Sequence, residues 1–178
     1  RNALQSLSEF VFRSKLKRLI KELERIRHKD TGVKSIVFTQ FQATLQWLQE
    51  ELPKHGFQFR SLSSDMTMEK RAQAIRDFQS DPPTTIFLLS MRSGAVGINL
   101  TMASRVFLME PVMDPSLEAQ AIGRVYRLGQ EKCVKVIKLC MRDSIETRLT
   151  DVLKKKYLDD DKVHLIAAEF NTLFGVTS

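Results

Sequence analysis

Thr85-Ile86-Phe87-Leu88-Leu89 runs directly into Ser90-Met91-Arg92-Ser93-Gly94-Ala95-Val96-Gly97-Ile98-Asn99-Leu100. The first five residues are uncharged and rich in branched and aromatic side chains. Such a run predicts a strand covered on both faces, and it reads as central in its sheet. The segment behind it carries two glycines, which are used where a backbone turns tightly or approaches a ligand closely. In open parallel sheets, ligands sit beyond the carboxyl ends of the strands. The stretch therefore predicts a fold class and an edge at which to look for a site.

Working outward, Leu16, Leu19, Ile20, Leu23 and Ile26 form an apolar stripe at helical spacing over 14–28. Basic residues fill the opposite face, and Thr31-Gly32 ends the helix. Ser35-Ile36-Val37-Phe38-Thr39 predicts another buried strand. Phe41, Leu45, Leu48 and Leu52 then recur at helical period, closed by Pro53, with Trp47 beside them as packing rather than a stacking platform. Phe57–Leu62 predicts a strand. Thr67 can cap a helix whose inner face is Met68, Ala72, Ile75 and Phe78. Asp81-Pro82-Pro83 is a turn. Downstream, Val106–Met109 predicts a strand, and the partly alternating Val134–Leu139 one nearer a sheet edge. Ser144 can cap a long helix on Ile145, Leu149, Val152 and Leu153, and residues 162–174 fit one more helix. Strands alternating with helices predict an α/β fold: a parallel sheet with helices on both faces.

The 178 residues suit one domain with a real core. No apolar run approaches 18 residues, so no membrane span is expected. The chain begins at Arg1 and is expected to be an excerpt of a longer protein. Its net charge is +7, and residues 13–34 alone hold nine Lys/Arg against three acids, a net +6. That block fits a polyanion partner, and equally a solvated helix face. Cys133 and Cys140, seven apart, match no metal or redox spacing and read as reduced, mostly packed thiols of an intracellular protein. His28, His55 and His164 lack ligand spacing, so no metal is expected to be bound by this chain itself.

Gln120-Ala121-Ile122-Gly123-Arg124-Val125-Tyr126-Arg127-Leu128-Gly129-Gln130 reads as a short helix. Gln120, Arg124 and Arg127 would share its outer face, and Ala121, Ile122, Val125 and Leu128 its packed face. Gly129 would stop it. Fixed guanidiniums suit phosphate, which they grip with paired hydrogen bonds. Gly123 inside a helix is explained by a close approach of a backbone or ligand, or equally by a poorly optimised helix. Yet there is no G-x-x-x-x-G-K-[ST] loop and no apolar run ending in paired acids to hold Mg²⁺. The phosphate grip is half of a site.

These segments resemble a known family. Ser90–Thr101 (SMRSGAVGINLT) is similar to motif V of the Swi/Snf-type DNA-dependent ATPases of helicase superfamily two. Gln120–Gln130 resembles their motif VI, and Ser35–Gln42 (SIVFTQFQ) their motif IV. Phe107–Pro115 matches the segment between V and VI, and Met66–Gln79 follows M-[ST]-x-x-x-R-x-x-x-I-x-x-F-Q. The run EPVMDPSLEAQAIGR is similar to the RING-finger-bearing post-replication-repair branch. The resemblance covers roughly residues 14–156. It implies the C-terminal RecA-like lobe, P-loop NTPase-like but without its own P-loop. Its parts would be a basic helix leading into the lobe (1–33), the core (34–142), and a bracing helix and tail (143–178).

The resemblance further implies that ATP and Mg²⁺ are bound jointly with an N-terminal RecA-like lobe that is not in this sequence. Double-stranded DNA would be the substrate. Arg124 and Arg127 would be arginine fingers, with Gln120, Gly97 and Asn99 near the nucleotide. Thr39, Gln40, Ser90 and Arg92 would meet the DNA backbone. Nucleosomes or replication and repair proteins would be further partners, and the nucleus the compartment. The pattern departs from the family at Leu62-Ser63-Ser64-Asp65-Met66 (usually L-D-G-S-M), at Gly123 and Tyr126 (usually D-R-x-H-R), and at Met113-Asp114 (usually W-N). Those departures allow a second reading, a non-catalytic DNA- or protein-binding module. A self-sufficient nucleotide binder fares worst, since it would need its own phosphate loop.

Overall fold

The uncharged runs form strands, and the apolar helical stripes close over both faces of them. The computed structural model describes residues 3–63, 66–92 and 98–158. Helix α1 (Ala3–Lys29) leads into β1 (Lys34–Thr39), α2 (Gln42–Lys54), β2 (Gln58–Ser61), α3 (Met68–Ser80) and β3 (Thr84–Ser90). Then come β4 (Ala103–Leu108), α4 (Pro115–Gly123), β5 (Lys135–Lys138) and α5 (Ile145–Leu158). The helix expected over 162–174 lies outside the described residues. The strands make one sheet in the order β2-β3-β1-β4-β5, every pairing parallel. The expected α/β class, a parallel sheet with helices on both faces, is the one observed. The middle strand is β1 rather than β3, because the chain crosses over β1 between β3 and β4. β3 is still interior, and β5 lies at an edge as its alternation suggested.

Side-chain alternation divides the core. Ile36, Phe38, Phe87, Leu89, Val106 and Leu108 point to one face, where Ala74, Phe78, Ala121 and Val125 cover them. Val37, Ile86, Leu88 and Phe107 point to the other, under Leu19 and Leu23 of α1 and Leu45, Leu48 and Leu52 of α2. Both faces of the interior strands are therefore dry, which is why those strands read as apolar runs.

Local details correct three expectations. In α3, Ala74 and Phe78 are buried while Met68 is exposed. Met68 lies six residues before Ala74, about 120° around the helix from that inner line. In α2, Pro53 sits inside the last turn rather than beyond it. In α1, Lys15 leaves the solvent face and is only 6% exposed. Elsewhere Thr67 caps α3 by accepting from the Lys70 N–H (3.4 Å), and Trp47 packs on Phe12. Lys34 reaches under α3 to its last carbonyls, those of Phe78 and Gln79. Burial lowers its pKa, against the pull of Asp81.

Candidate nucleotide and nucleic-acid interface

Parallel register brings the suspected loops to one edge. Thr39 and Ser90 are register partners at the ends of β1 and β3, and Phe38 pairs with Leu108 of β4. The ladder continues one step into the loops: Met91 N–H donates to Thr39 O and Met109 N–H to Phe38 O, both at 2.9 Å.

Glu110 organises the first of these loops. Its carboxylate accepts from the Thr39 hydroxyl (2.9 and 3.0 Å) and from the Gln40 N–H (3.0 Å). The Gln40 amide donates across to Pro111 O at 2.8 Å. Thr39 is 1% exposed, so its hydroxyl serves this junction and is not presented at the surface, whereas Gln40 is exposed. Burial pushes the Glu110 carboxyl above the usual range, against the bonds from Gln40 and Thr39 and the Lys15 charge. Behind it, Lys15 Nζ donates to Met109 O (2.8 Å) and pairs with Glu146 of α5 (2.5 Å). Glu146 also accepts from the Met141 N–H at 2.9 Å.

Ser90 is partly buried and Arg92 exposed. Gly97 lies outside the described residues, as do Ser64 and Asp65 of the altered 62–66 segment. Asn99 is exposed, and its Oδ1 accepts from the Thr101 N–H at 3.1 Å, a local turn.

The predicted helix over 120–128 is corrected. Asp114 caps α4 by accepting from the Ser116 and Leu117 N–H groups at 2.9 and 3.4 Å, and Pro115 opens it. The bond from the Ser116 hydroxyl holds the Asp114 carboxyl below its ordinary range. The helix ends at Gly123, with Arg124 as its C-cap. Its last turn tightens, with Arg124 N–H on Ala121 O and Val125 N–H on Ile122 O, and it cannot run on to 128 because Arg124 O takes the Leu100 N–H (3.1 Å) and Val125 O the Gln130 amide (3.1 Å). Gly129, at φ 96°, then reverses the chain. Gln120 is thus exposed on α4, Arg124 half-buried at its end, and Arg127 exposed on the following turn; they share no single helical face. Leu128, expected to pack, is 99% exposed, and Tyr126 is 73% exposed. A Cβ at Gly123 would meet nothing within 4 Å, so no close approach within the described chain explains that glycine.

Gln130 carries a role that its sequence context does not reveal. Its Nε2 donates to Thr101 O and Ala103 O (each 2.8 Å) as well as Val125 O, and its Oε1 accepts from the Lys132 N–H at 2.8 Å. The one available clue is a long amide directly after a turn glycine. Cys133 and Cys140, expected to be mostly packed, are both exposed. Among the described residues no group of three or more His, Cys, Asp or Glu could hold a metal. A groove of about 270 Å³ lined by Leu23, Phe57, Pro82 and Pro83 lies at the opposite, amino-terminal edge of the sheet.

The sequence pattern of the helicase conserved C-terminal domain matches residues 14–129, spanning β1 through the Arg124–Gly129 turn. The chain belongs to that family. It is 41% identical over 143 residues to "ATP-dependent helicase rhp16" of Schizosaccharomyces pombe, covering 80% of this chain and 17% of that protein. It is 38% identical over 143 residues to "DNA repair protein RAD5B" of Arabidopsis thaliana, covering 80% and 11%. It is 38% identical over 150 residues to the human "Helicase-like transcription factor", covering 83% and 15%. This helicase lobe thus spans under a fifth of the length of each of these relatives. The crystal structure of the C-terminal part of the Fun30 ATPase domain superposes with a TM-score of 0.74 at 29% identity, over 88% of this chain and 47% of that one. The resemblance to the Swi/Snf-type family, including its repair branch, is borne out.

Proposed function

We propose that this lobe completes an ATP-driven translocase on double-stranded DNA, of the repair or chromatin-remodelling kind. An N-terminal RecA-like lobe of the same protein would hold most of the nucleotide. The observation that carries this reading is Arg127, exposed on a turn bonded through Arg124 O to Leu100 in the segment that leads into β4, in a chain without a phosphate loop. Two guanidiniums and the Gln120 amide offer anion-binding donors, and the space at Gly123 leaves the end of α4 open. Those residues fit one side of a triphosphate. ATP and Mg²⁺, when bound between the lobes, supply a phosphoryl group whose transfer develops negative charge. Arg124 and Arg127 would hold positive charge against it, an effect worth about 10³–10⁵ in rate for an arginine finger. Gln40, Ser90 and Arg92 would meet the DNA backbone, with Thr39 shaping that loop through Glu110. Asn99 and Gly97 would lie toward the nucleotide. Relatives named for DNA repair and transcription support a nuclear setting with nucleosomal or replication and repair partners.

In the full-length protein, Arg127→Ala should nearly abolish DNA-stimulated ATPase while sparing nucleotide binding. Near-wild-type turnover would sink the assignment. A second reading, the non-catalytic binding module, draws on α1, where Arg13, Lys17, Lys21 and Arg25 are exposed. It expects DNA binding that falls steeply with salt and no ATP turnover by the full-length protein.

A further inference from the structure

Two attachments tie the finger turn to the 98–103 segment. In the first, Arg124 O accepts from the Leu100 N–H, at the end of the loop that follows β3. The second is the Gln130 side chain, whose Nε2 reaches Val125 on the turn, Thr101 behind that loop, and Ala103 at the start of β4. A primary amide has two protons, so three carbonyls at 2.8–3.1 Å share them. The flipped amide would set Oε1 against three carbonyl oxygens and Nε2 against the Lys132 N–H, so these partners fix its orientation. All four of these partners are backbone groups. What the amide holds is the backbone that carries Arg124 and Arg127 and the backbone that follows Asn99.

We propose that Gln130 is a positioning residue: its amide locks the Arg124–Arg127 turn to the 98–103 segment, so that the guanidiniums are held in register with the backbone that follows Asn99. This rests on the arginine-finger reading above. Misplacing a reacting or charge-stabilising group by about 1 Å can lower a rate about 10²-fold. Loss of the lock should therefore appear in turnover, not in nucleotide affinity, which the other lobe would mainly set.

The experiment is a set of steady-state ATPase assays on the full-length protein with saturating duplex DNA. Gln130→Met keeps the length and drops the amide; Gln130→Glu keeps the length and turns donors into acceptors. Both should lower kcat by more than about 10-fold with ATP KM within about threefold, Glu the more severe. Gln130→Asn, one methylene shorter, should recover part of the loss. A thermal melt confirms folding, and if Gln130→Glu does not fold, Gln130→Met carries the test. In an Arg127→Ala background, Gln130→Met should lower residual kcat less than about twofold further, since its effect runs through that arginine. Near-wild-type kcat in Gln130→Met beside an inactive Arg127→Ala overturns the lock and leaves the finger reading standing. Fully additive losses in the double variant overturn it as well. An active Arg127→Ala overturns the underlying reading instead.

Discussion

Glu110 and Gln130 act through contacts that are distant in sequence. Glu110 reaches Thr39 across 71 positions, and Gln130 reaches Thr101 across 29. Local patterns of period and propensity carry no trace of such pairs, so the sequence displays Arg124 and Arg127 as a motif and leaves their supports invisible. Thr39 reads as a surface contact for the same reason. Glu110 also yields a pH signature. Burial raises its folded pKa above the ordinary 4.5, opposed by Gln40, Thr39 and Lys15 and aided by Glu146. The folded state then holds this proton more tightly than the unfolded state. Its contribution to stability is complete below the ordinary carboxylate pKa and is lost as pH rises through the raised one. Glu110→Gln removes that titration in a side chain of the same size. The melting temperature of wild type relative to Glu110→Gln should therefore fall as pH is raised from about 4 toward 7. A difference that stays flat, or rises, would show that the bonds from Gln40 and Thr39 outweigh the burial of this charge.

At the scale of elements, the strands are legible in the sequence and the helix ends are not. An apolar run such as Thr85–Leu89 has one good home, between two covered faces. How far a helix runs depends on which carbonyls find other partners, and those of Arg124 and Val125, which a helix through 128 would need, are taken by Leu100 and Gln130. α1 shows the same limit. A helical wheel puts Lys15 with the other cations, whereas it is buried between Met109 O and Glu146, joining α1, the end of β4 and α5. Glu146 is only partly buried, so solvent moderates the pair. Lys15→Met keeps the aliphatic stem and removes the bridge, and should lower stability by about 1–3 kcal/mol. In a Glu146→Gln background the same change should cost less, because the two share one interaction. Urea midpoints measure the energies. Hydrogen exchange should quicken first in α5, the element held by the lost bond. Additive losses with unchanged exchange in α5 would place the effect of Lys15 elsewhere.

At the scale of the whole molecule, the described core closes on itself while the proposed site does not. Among the described residues, the interior strands are covered on both faces by helices of this same chain, in two buried clusters. A chain of this length buries enough surface to fold cooperatively. The chemistry is distributed differently. On the proposed function, Arg124 and Arg127 would stabilise charge on a nucleotide held mainly by another lobe, since the sequence has no phosphate loop of its own. Stability and activity should therefore separate cleanly when the 178 residues are produced alone. A single cooperative melt is expected, with phosphate release from ATP indistinguishable from buffer whether or not duplex DNA is present. Covalent linkage to its N-terminal lobe should restore turnover, and Arg127→Ala in that linked protein should remove it again. Steady ATP hydrolysis by the isolated chain, lost in Arg127→Ala, would mean that these residues form a whole site rather than half of one.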